Sequence, residues 1–390
     1  MQHTAAIYLQ KLQAQSSQYV YEEDGLFGGR LGQIWLHYTS WQATRHEVYK
    51  THCLSLLGEV FEHLNQDTPH LHGASLSAGA AGFGYITTVL HRQGWLEFEL
   101  DETLADLDAF MYESALELIE ARKLDFWHGA FGILFYFLEH LNNPLHRQRA
   151  EQLVQKIVDE VRGDDNGLWF PNVLKPEDES IINFSLSHGQ VSFLLVLMKA
   201  AQKGVETELA TSVVWRGVNF LLKYQRYADF SKDFSYFPMW VHEDTNERHD
   251  SNRLAICYGD LGMALLLYRA AEFLQNPALR EKADLLGLST LQRQSDKATL
   301  VTDSHFCHGA AGVAQFYHTF YRISGHQGYY RGYQYWIDRT VAALHHELET
   351  DSSPQNKGGL VDGHVGVALV LLTYVYHQSE RLYWERLFLL

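Results

Sequence analysis

Residues 129–141 read GAFGILFYFLEHL. A Gly-x-x-Gly element opens a run that is apolar on nearly every side, as a helix buried between two layers should be. The element recurs along the chain, at Gly29 to Gly32, Gly79 to Gly82, Gly189 to Ser192, Gly259 to Gly262, Gly309 to Gly312 and Gly363 to Gly366, with Ser192 the single departure. Successive first glycines lie 50, 50, 60, 70, 50 and 54 residues apart by subtraction, too regular for scattered glycines. Runs such as GMALLLYRAAEFL and GVALVLLTYVY read as inner helices. The segments that precede the elements, such as DLDAFMYESALELIEARK, place apolar residues at three- and four-residue intervals with charges between. They read as outer, half-exposed helices. Glycine suits the junction because the chain can turn there with positive φ and because neighbouring backbones can approach closely.

Two helices per unit across seven units predict an all-α fold, an α/α toroid of seven helix-pair repeats occupying residues 1–390 as one domain. A closed ring is preferred to an open solenoid because the terminal units are not polar caps. In such a ring the seven glycine turns converge at one end. Two intervals are long and poor in helix signal, from Gly163 (GDDNGLWFPNVLKPEDES) and from Tyr227 (YADFSKDFSYFPMWVHEDTNERHDSN). Both are aromatic-rich and precede the fourth and fifth elements, which suggests loops at the rim of a pocket.

The chain has 31 basic and 47 acidic residues, a formal charge of −16, so it lacks the basic face that nucleic acid selects. A cationic or neutral partner suits it better. No secretory signal opens the sequence and no apolar run approaches the roughly 20 residues of a membrane span. The expected location is cytoplasmic. Three cysteines, Cys53, Cys257 and Cys307, do not make a disulfide framework, which leaves thiols for metal.

Cys257 and Cys307 occupy equivalent turns of adjacent repeats, in Arg253-Leu-Ala-Ile-Cys257-Tyr258-Gly259 and Cys307-His308-Gly309. Equivalent turns of a closed ring are neighbours, so two thiolates and the His308 imidazole can meet. Zn2+ accepts these donors, and three protein ligands leave a fourth position for water or substrate, as in catalytic sites. Either cysteine alone would read as a small buried hydrophobe. His188, in Ser187-His188-Gly189, is a candidate acid or base, since imidazole titrates near neutrality; the plainer reading is a packed core histidine. Asp125 can orient His188 or simply cap a helix. His128 is a turn residue of ambiguous role. Arg253, one turn before Cys257, faces either a pocket or solvent, and Tyr258 either hydrogen-bonds in a pocket or packs.

Ser-His-Gly, Asn-Arg-x-x-x-Cys-Tyr-Gly and Cys-His-Gly, in that order on a sevenfold helical repeat, closely resemble the lanthionine synthetase C-like family, the lanthipeptide cyclases. The resemblance covers the whole chain. It implies a double-layered α/α barrel, zinc ligands at Cys257, Cys307 and His308, and further active-site residues at Asp125, His188, Arg253 and Tyr258. The sequence departs from the family at Ile256 and Leu261, where Trp and Pro are usual, which touches packing and turn shape rather than ligand chemistry. The first repeat begins near Gly25, so a stand-alone cyclase is expected, with no dehydratase region ahead of it.

The implied reaction adds a peptide cysteine thiolate to dehydroalanine or dehydrobutyrine, forming lanthionine or methyllanthionine. Zinc would deprotonate a thiol whose free pKa is roughly 8.5. His188 or a water it holds would protonate the α-carbon, Asp125 and His188 would assist thiol deprotonation, and Arg253 would stabilise developing charge. The implied partners are a dehydrated precursor peptide, leader plus core, and a separate dehydratase, in the cytoplasm or at the periphery of a membrane-associated biosynthetic complex. Three alternatives stand beside this reading: a related enzyme adding glutathione to dehydroamino acids in proteins, a non-catalytic peptide-binding toroid, and an α/α-barrel glycosidase using Asp125, Asp260 or Asp362. The last leaves the thiol pair without a role.

Overall fold

The computed structural model describes residues 2–16, 18–66, 70–164, 167–174, 178, 180–227, 234–350, 357–376 and 382–390. Its inner helices are Arg30–Thr44, Ala80–Arg92, Ala130–Leu138, Gln190–Gln202, Asp260–Phe273, Ala310–Ser324 and His364–Tyr376. Each begins one residue after the first glycine of an element. Between them run the outer helices Gln2–Ser16, Glu47–Leu64, Ala105–Glu120, Pro144–Asp159, Thr207–Leu222, Pro277–Thr290 and Gln327–Thr350. Burial separates the two classes as the apolar patterning requires. Every residue of Ala130–Leu138 is buried, whereas Glu47–Leu64 buries only Cys53, Leu57 and Val60, one stripe at helical spacing. Among the described residues no helix is long and apolar enough to cross a membrane.

The chain divides into two compact units, one of Met1–His72, Arg253–Ile256 and Leu288–Leu390, the other of Gly73–Asn252 and Cys257–Gly287. In the first unit the inner helix of the seventh repeat packs against those of the sixth and the first. The Leu360 N–H donates to the Phe27 carbonyl at 2.7 Å, so the last repeat is joined to the first by backbone as well as by side chains. In the second unit the inner helices of repeats two to five pack in succession.

Neighbouring glycine turns are tied together by the main chain. Ile256 N–H donates to Cys307 O at 3.0 Å and Cys307 N–H to Val361 O at 2.8 Å in the first unit. Ser77 N–H donates to Trp127 O at 2.9 Å and Leu186 N–H to Cys257 O at 3.1 Å in the second. These bonds satisfy buried backbone groups that no helix can serve, and they set the spacing between turns.

The glycines act through close approach more than through positive φ. Gly29, Gly79, Gly129, Gly189 and Gly309 are extended, with negative φ; only Gly259, at φ 106°, uses the left-handed half of the map. A Cβ on Gly129 would lie 2.1 Å from Lys123 O, and one on Gly312 would lie 2.0 Å from Phe306 O. The expectation of a positive φ at the junction therefore holds at Gly259 and is corrected at the other five; at Gly29, Gly129 and Gly189 a carbonyl six residues earlier crowds the Cα instead.

The two long intervals carry small antiparallel pairings absent from the sequence reading. Arg162–Asp164 pairs with Gly167–Trp169, and Ile181–Asn183, Trp240–His242 and Arg248–His249 form a three-stranded sheet in that order. Each interval is fastened to the glycine turn it precedes, by the residue just after the first glycine. Gln190 clamps both the N–H and the carbonyl of Phe170 (2.9 and 2.8 Å), and buried Asp260 accepts from the N–H groups of Tyr236 and Phe237 (3.0 Å each). The remainder of the expected rim loops, 165–166, 175–177, 179 and 228–233, lies outside the described residues.

Candidate active site and metal centre

Asp125 precedes the third glycine turn and is almost fully buried, at 7% exposure. Its Oδ1 accepts from the N–H groups of Trp127 and His128, both at 2.8 Å, and its Oδ2 lies 2.6 Å from His188 Nδ1. Asp125 thus both caps the turn and orients the imidazole, so the two readings of its sequence position are not exclusive. The His188 ring is held on other sides as well. Trp127 meets it edge-on with centroids 5.8 Å apart, and His128 stacks on it at 5.8 Å and 14°. A carboxylate at Nδ1 fixes the tautomer and leaves Nε2 for proton exchange. His128 is itself anchored, its Nδ1 lying 2.7 Å from Ser77 Oγ.

In the sixth turn Cys307 is buried and His308 is half-exposed, with Cys307 Sγ 3.8 Å from His308 Nε2. The other ring nitrogen, Nδ1, lies 3.8 Å from Asp362 Oδ1. The imidazole therefore has a thiol near one nitrogen and a carboxylate near the other, the latter within ion-pair range but beyond hydrogen-bond reach. Cys307 and His308 thus offer a sulfur and a nitrogen from one turn. Ile256, the residue before Cys257, donates its N–H to the Cys307 carbonyl at 3.0 Å. Two buried thiols and an imidazole are a donor set that suits zinc. Cys53, by contrast, is buried on an outer helix, and burial pushes its thiol pKa well above the ordinary value.

Arg253 heads the stretch 253–256, which is fixed by Leu254 N–H donating to Thr299 O at 2.9 Å; Arg253 and Tyr258 are both partly exposed. Sequence reasoning noted Asp260 and Asp362 only as stray carboxylates near the turns. Asp260 accepts from the backbone of the preceding interval, and Asp362 lies within ion-pair distance of His308. The glycine register alone could have flagged both, since one sits just after and the other just before a first glycine.

Paired helices on repeated glycine turns, with thiols, imidazoles and carboxylates gathered at those turns, define a helical-repeat protein whose functional groups come from its loops. The chain belongs to the lanthionine synthetase C-like family, whose description matches residues 20–389. It is 24% identical over 340 residues to the nisin biosynthesis protein NisC of Lactococcus lactis subsp. lactis, which spans 81% of this chain and 77% of that protein. The structure of nisin cyclase matches with a TM-score of 0.79 at 20% identity, covering 98% of this chain and 97% of that one. The fold is therefore the one expected from the repeats, an all-α fold of the α/α-toroid class.

Proposed function

We propose that this protein is a lanthipeptide cyclase that joins peptide cysteine sulfur to dehydroalanine or dehydrobutyrine, with zinc held by Cys257, Cys307 and His308. The observation that carries the reading is the Cys307–His308 pair, 3.8 Å apart, at a turn whose Cys307 carbonyl accepts from the N–H of Ile256, the residue before Cys257, in a chain that belongs to the lanthionine synthetase C-like family. Zinc bound there supplies a Lewis-acidic position at which a substrate thiol is deprotonated at neutral pH. The chain's own residues do the rest. Addition of sulfur to the β-carbon moves the alkene electron pair toward the carbonyl, and the α-carbon then takes a proton. His188, held at Nδ1 by Asp125, delivers that proton from Nε2, directly or through a water, and the Asp125–His188 pair assists removal of the thiol proton. Arg253 stabilises the negative charge that develops on the carbonyl oxygen, and Tyr258 lends a hydrogen bond in the pocket.

The substrate is a dehydrated precursor peptide made by a separate dehydratase, and the acidic chain favours basic peptide segments. Incubated with such a peptide, the zinc-loaded protein should remove alkylatable cysteines with no change in peptide mass, and should leave the undehydrated peptide untouched. Failure with the cognate dehydrated peptide, together with coupling of glutathione to dehydroalanine peptides of unrelated sequence, would replace this reading with that of a glutathione-adding enzyme.

A further inference from the structure

The third and fourth glycine turns bring together a second set of metal-binding side chains that the proposed chemistry does not use as ligands. Asp125, His128 and His188 each offer one ligand atom, and these lie within 4.8 Å of one another. Two imidazoles and a carboxylate form a nitrogen and oxygen donor set that suits zinc, cobalt and other divalent transition ions, and three ligands leave open positions for water. The three are already arranged by contacts among themselves. Asp125 is fixed by two backbone N–H groups, His188 by Asp125, and His128 stacks on His188 with its ring anchored to Ser77. Ligand atoms about 2.1 Å from one ion stand roughly 3 to 3.5 Å from each other, so closure requires about 1 Å of side-chain movement. His128 can supply it, because it is exposed whereas Asp125 is buried.

We infer that Asp125, His128 and His188 form a second transition-metal site, separate in ligand chemistry from the two-thiolate site, and that its filling withdraws His188 from proton transfer. A metal at Nδ1 expels to solvent the proton that Nδ1 shares with Asp125; a metal at Nε2 occupies the nitrogen that would meet substrate. Either way the ion takes the place of the mobile proton. Zinc beyond the first equivalent is therefore an inhibitor. The inhibition rests on the role proposed for His188, but the second site does not.

Metal-free full-length protein should be titrated with Co2+ alone. The first equivalent should give the intense near-ultraviolet charge-transfer absorption of thiolate ligation, and a second should add only weak visible bands, as nitrogen and oxygen donors do. His128→Ala and His128→Gln should lose the second equivalent and keep the first; Cys257→Ala should do the reverse. In the cyclisation assay, zinc above one equivalent should slow the wild type and leave the rate of each His128 variant, relative to its own one-equivalent rate, unchanged. A wild type that binds one ion only, or a second ion that persists in both His128 variants, overturns the site. A wild type that shows the weak visible bands but no thiolate band would count against the cyclase reading and not against this one. A second ion that binds without slowing the reaction overturns the inhibition.

Discussion

Oδ2 of Asp125 stands 2.6 Å from Nδ1 of His188, while Oδ1 of the same carboxylate holds the Trp127 and His128 N–H groups at 2.8 Å. The two oxygens thus separate a structural task from a functional one, and substitution can divide them. Asp125→Asn keeps an oxygen for the backbone and presents an amide N–H to His188, which reverses the polarity of that contact and favours the wrong tautomer. The variant should retain its melting temperature to within a few degrees and lose cyclisation activity. Asp125→Ala loses the cap as well and should be destabilised by about 1 kcal/mol. Thermal melts and rates on the same preparations separate the two effects; equal losses of stability in both variants would contradict the division.

His188→Ala removes the imidazole without touching a thiol, since His188 lies outside the Cys257, Cys307 and His308 set. The variant should keep its first equivalent of zinc and lose cyclisation by about a hundred- to ten-thousand-fold, the range usual for a general acid or base. Full activity in a zinc-loaded His188→Ala protein would remove His188 from the mechanism.

The inner and outer helices were legible because local patterning carries them: a run such as GILFYFLEHL is apolar all round, and THCLSLLGEVFEHL shows one apolar stripe. Asp125 and His188 were legible as candidates because both sit at fixed offsets from a first glycine. The strands were not, since Ile181–Asn183 finds its partner Trp240–His242 some sixty residues away and three-residue strands leave no pattern. The reason for the glycines was half legible. Positive φ is a local property that a sequence suggests, whereas the Lys123 carbonyl against Gly129 is set by how the chain folds back. Asp362 was within reach of the same register, since it and His308 each stand just before the first glycine of consecutive repeats.

The fourth element offers a natural control for the glycine argument. Ser192 is fully buried where the other elements have glycine, and its Oγ donates to Gly189 O at 3.0 Å. At Gly132 a Cβ would lie 2.3 Å from Phe126 O and 3.0 Å from Leu76 Cβ. Gly132→Ala should therefore cost about 1–3 kcal/mol through overpacking against backbone. Ser192→Gly gives up one local hydrogen bond and some helix preference, about 1 kcal/mol. Denaturant midpoints at constant slope measure both; a Gly132→Ala protein as stable as the wild type would show that this turn tolerates a Cβ.

Buried histidines give the fold an acid sensitivity of definite sign. His140 is held by Tyr136 O at Nδ1 (2.8 Å) and Thr88 Oγ1 at Nε2 (2.5 Å), and burial lowers its pKa to about 4. The folded pKa lies below the unfolded value of about 6.5, so in the window between them the unfolded chain binds the extra proton, and stability falls as pH drops from 6.5 towards 4. The ceiling for one such group is about 3 kcal/mol. His37, lowered to about 4 by burial and by His52, adds a similar contribution in the other unit. His140→Gln should flatten the decline of melting temperature across that window by its own share and leave the remainder to His37. An unchanged slope would mean that His140 takes up its proton in the folded state.

Metal content is the most direct test of the ligand assignment, and neighbouring residues make it specific. Cys257→Ala, Cys307→Ala and His308→Ala each leave two of three protein donors, too few for a stable zinc site, and should lose the first equivalent of metal. Cys53→Ala should retain it, because Cys53 is fully buried on the core-facing stripe of an outer helix with its thiol kept protonated by burial. Asp362 supplies a finer test. Its Oδ1 lies 3.8 Å from His308 Nδ1, on the far side of the ring from the Cys307 sulfur, but both side chains are substantially exposed. Outer carboxylates of this kind typically contribute about ten- to a hundred-fold in metal affinity, and solvent screening places Asp362 near the lower end. Asp362→Asn should therefore keep zinc at high free-metal concentration and release it faster to a chelator than the wild type does. If all three ligand variants hold as much zinc as the wild type, the metal sits elsewhere. If only Asp362→Asn behaves as the wild type, the ligands stand and His308 is oriented by the turn itself.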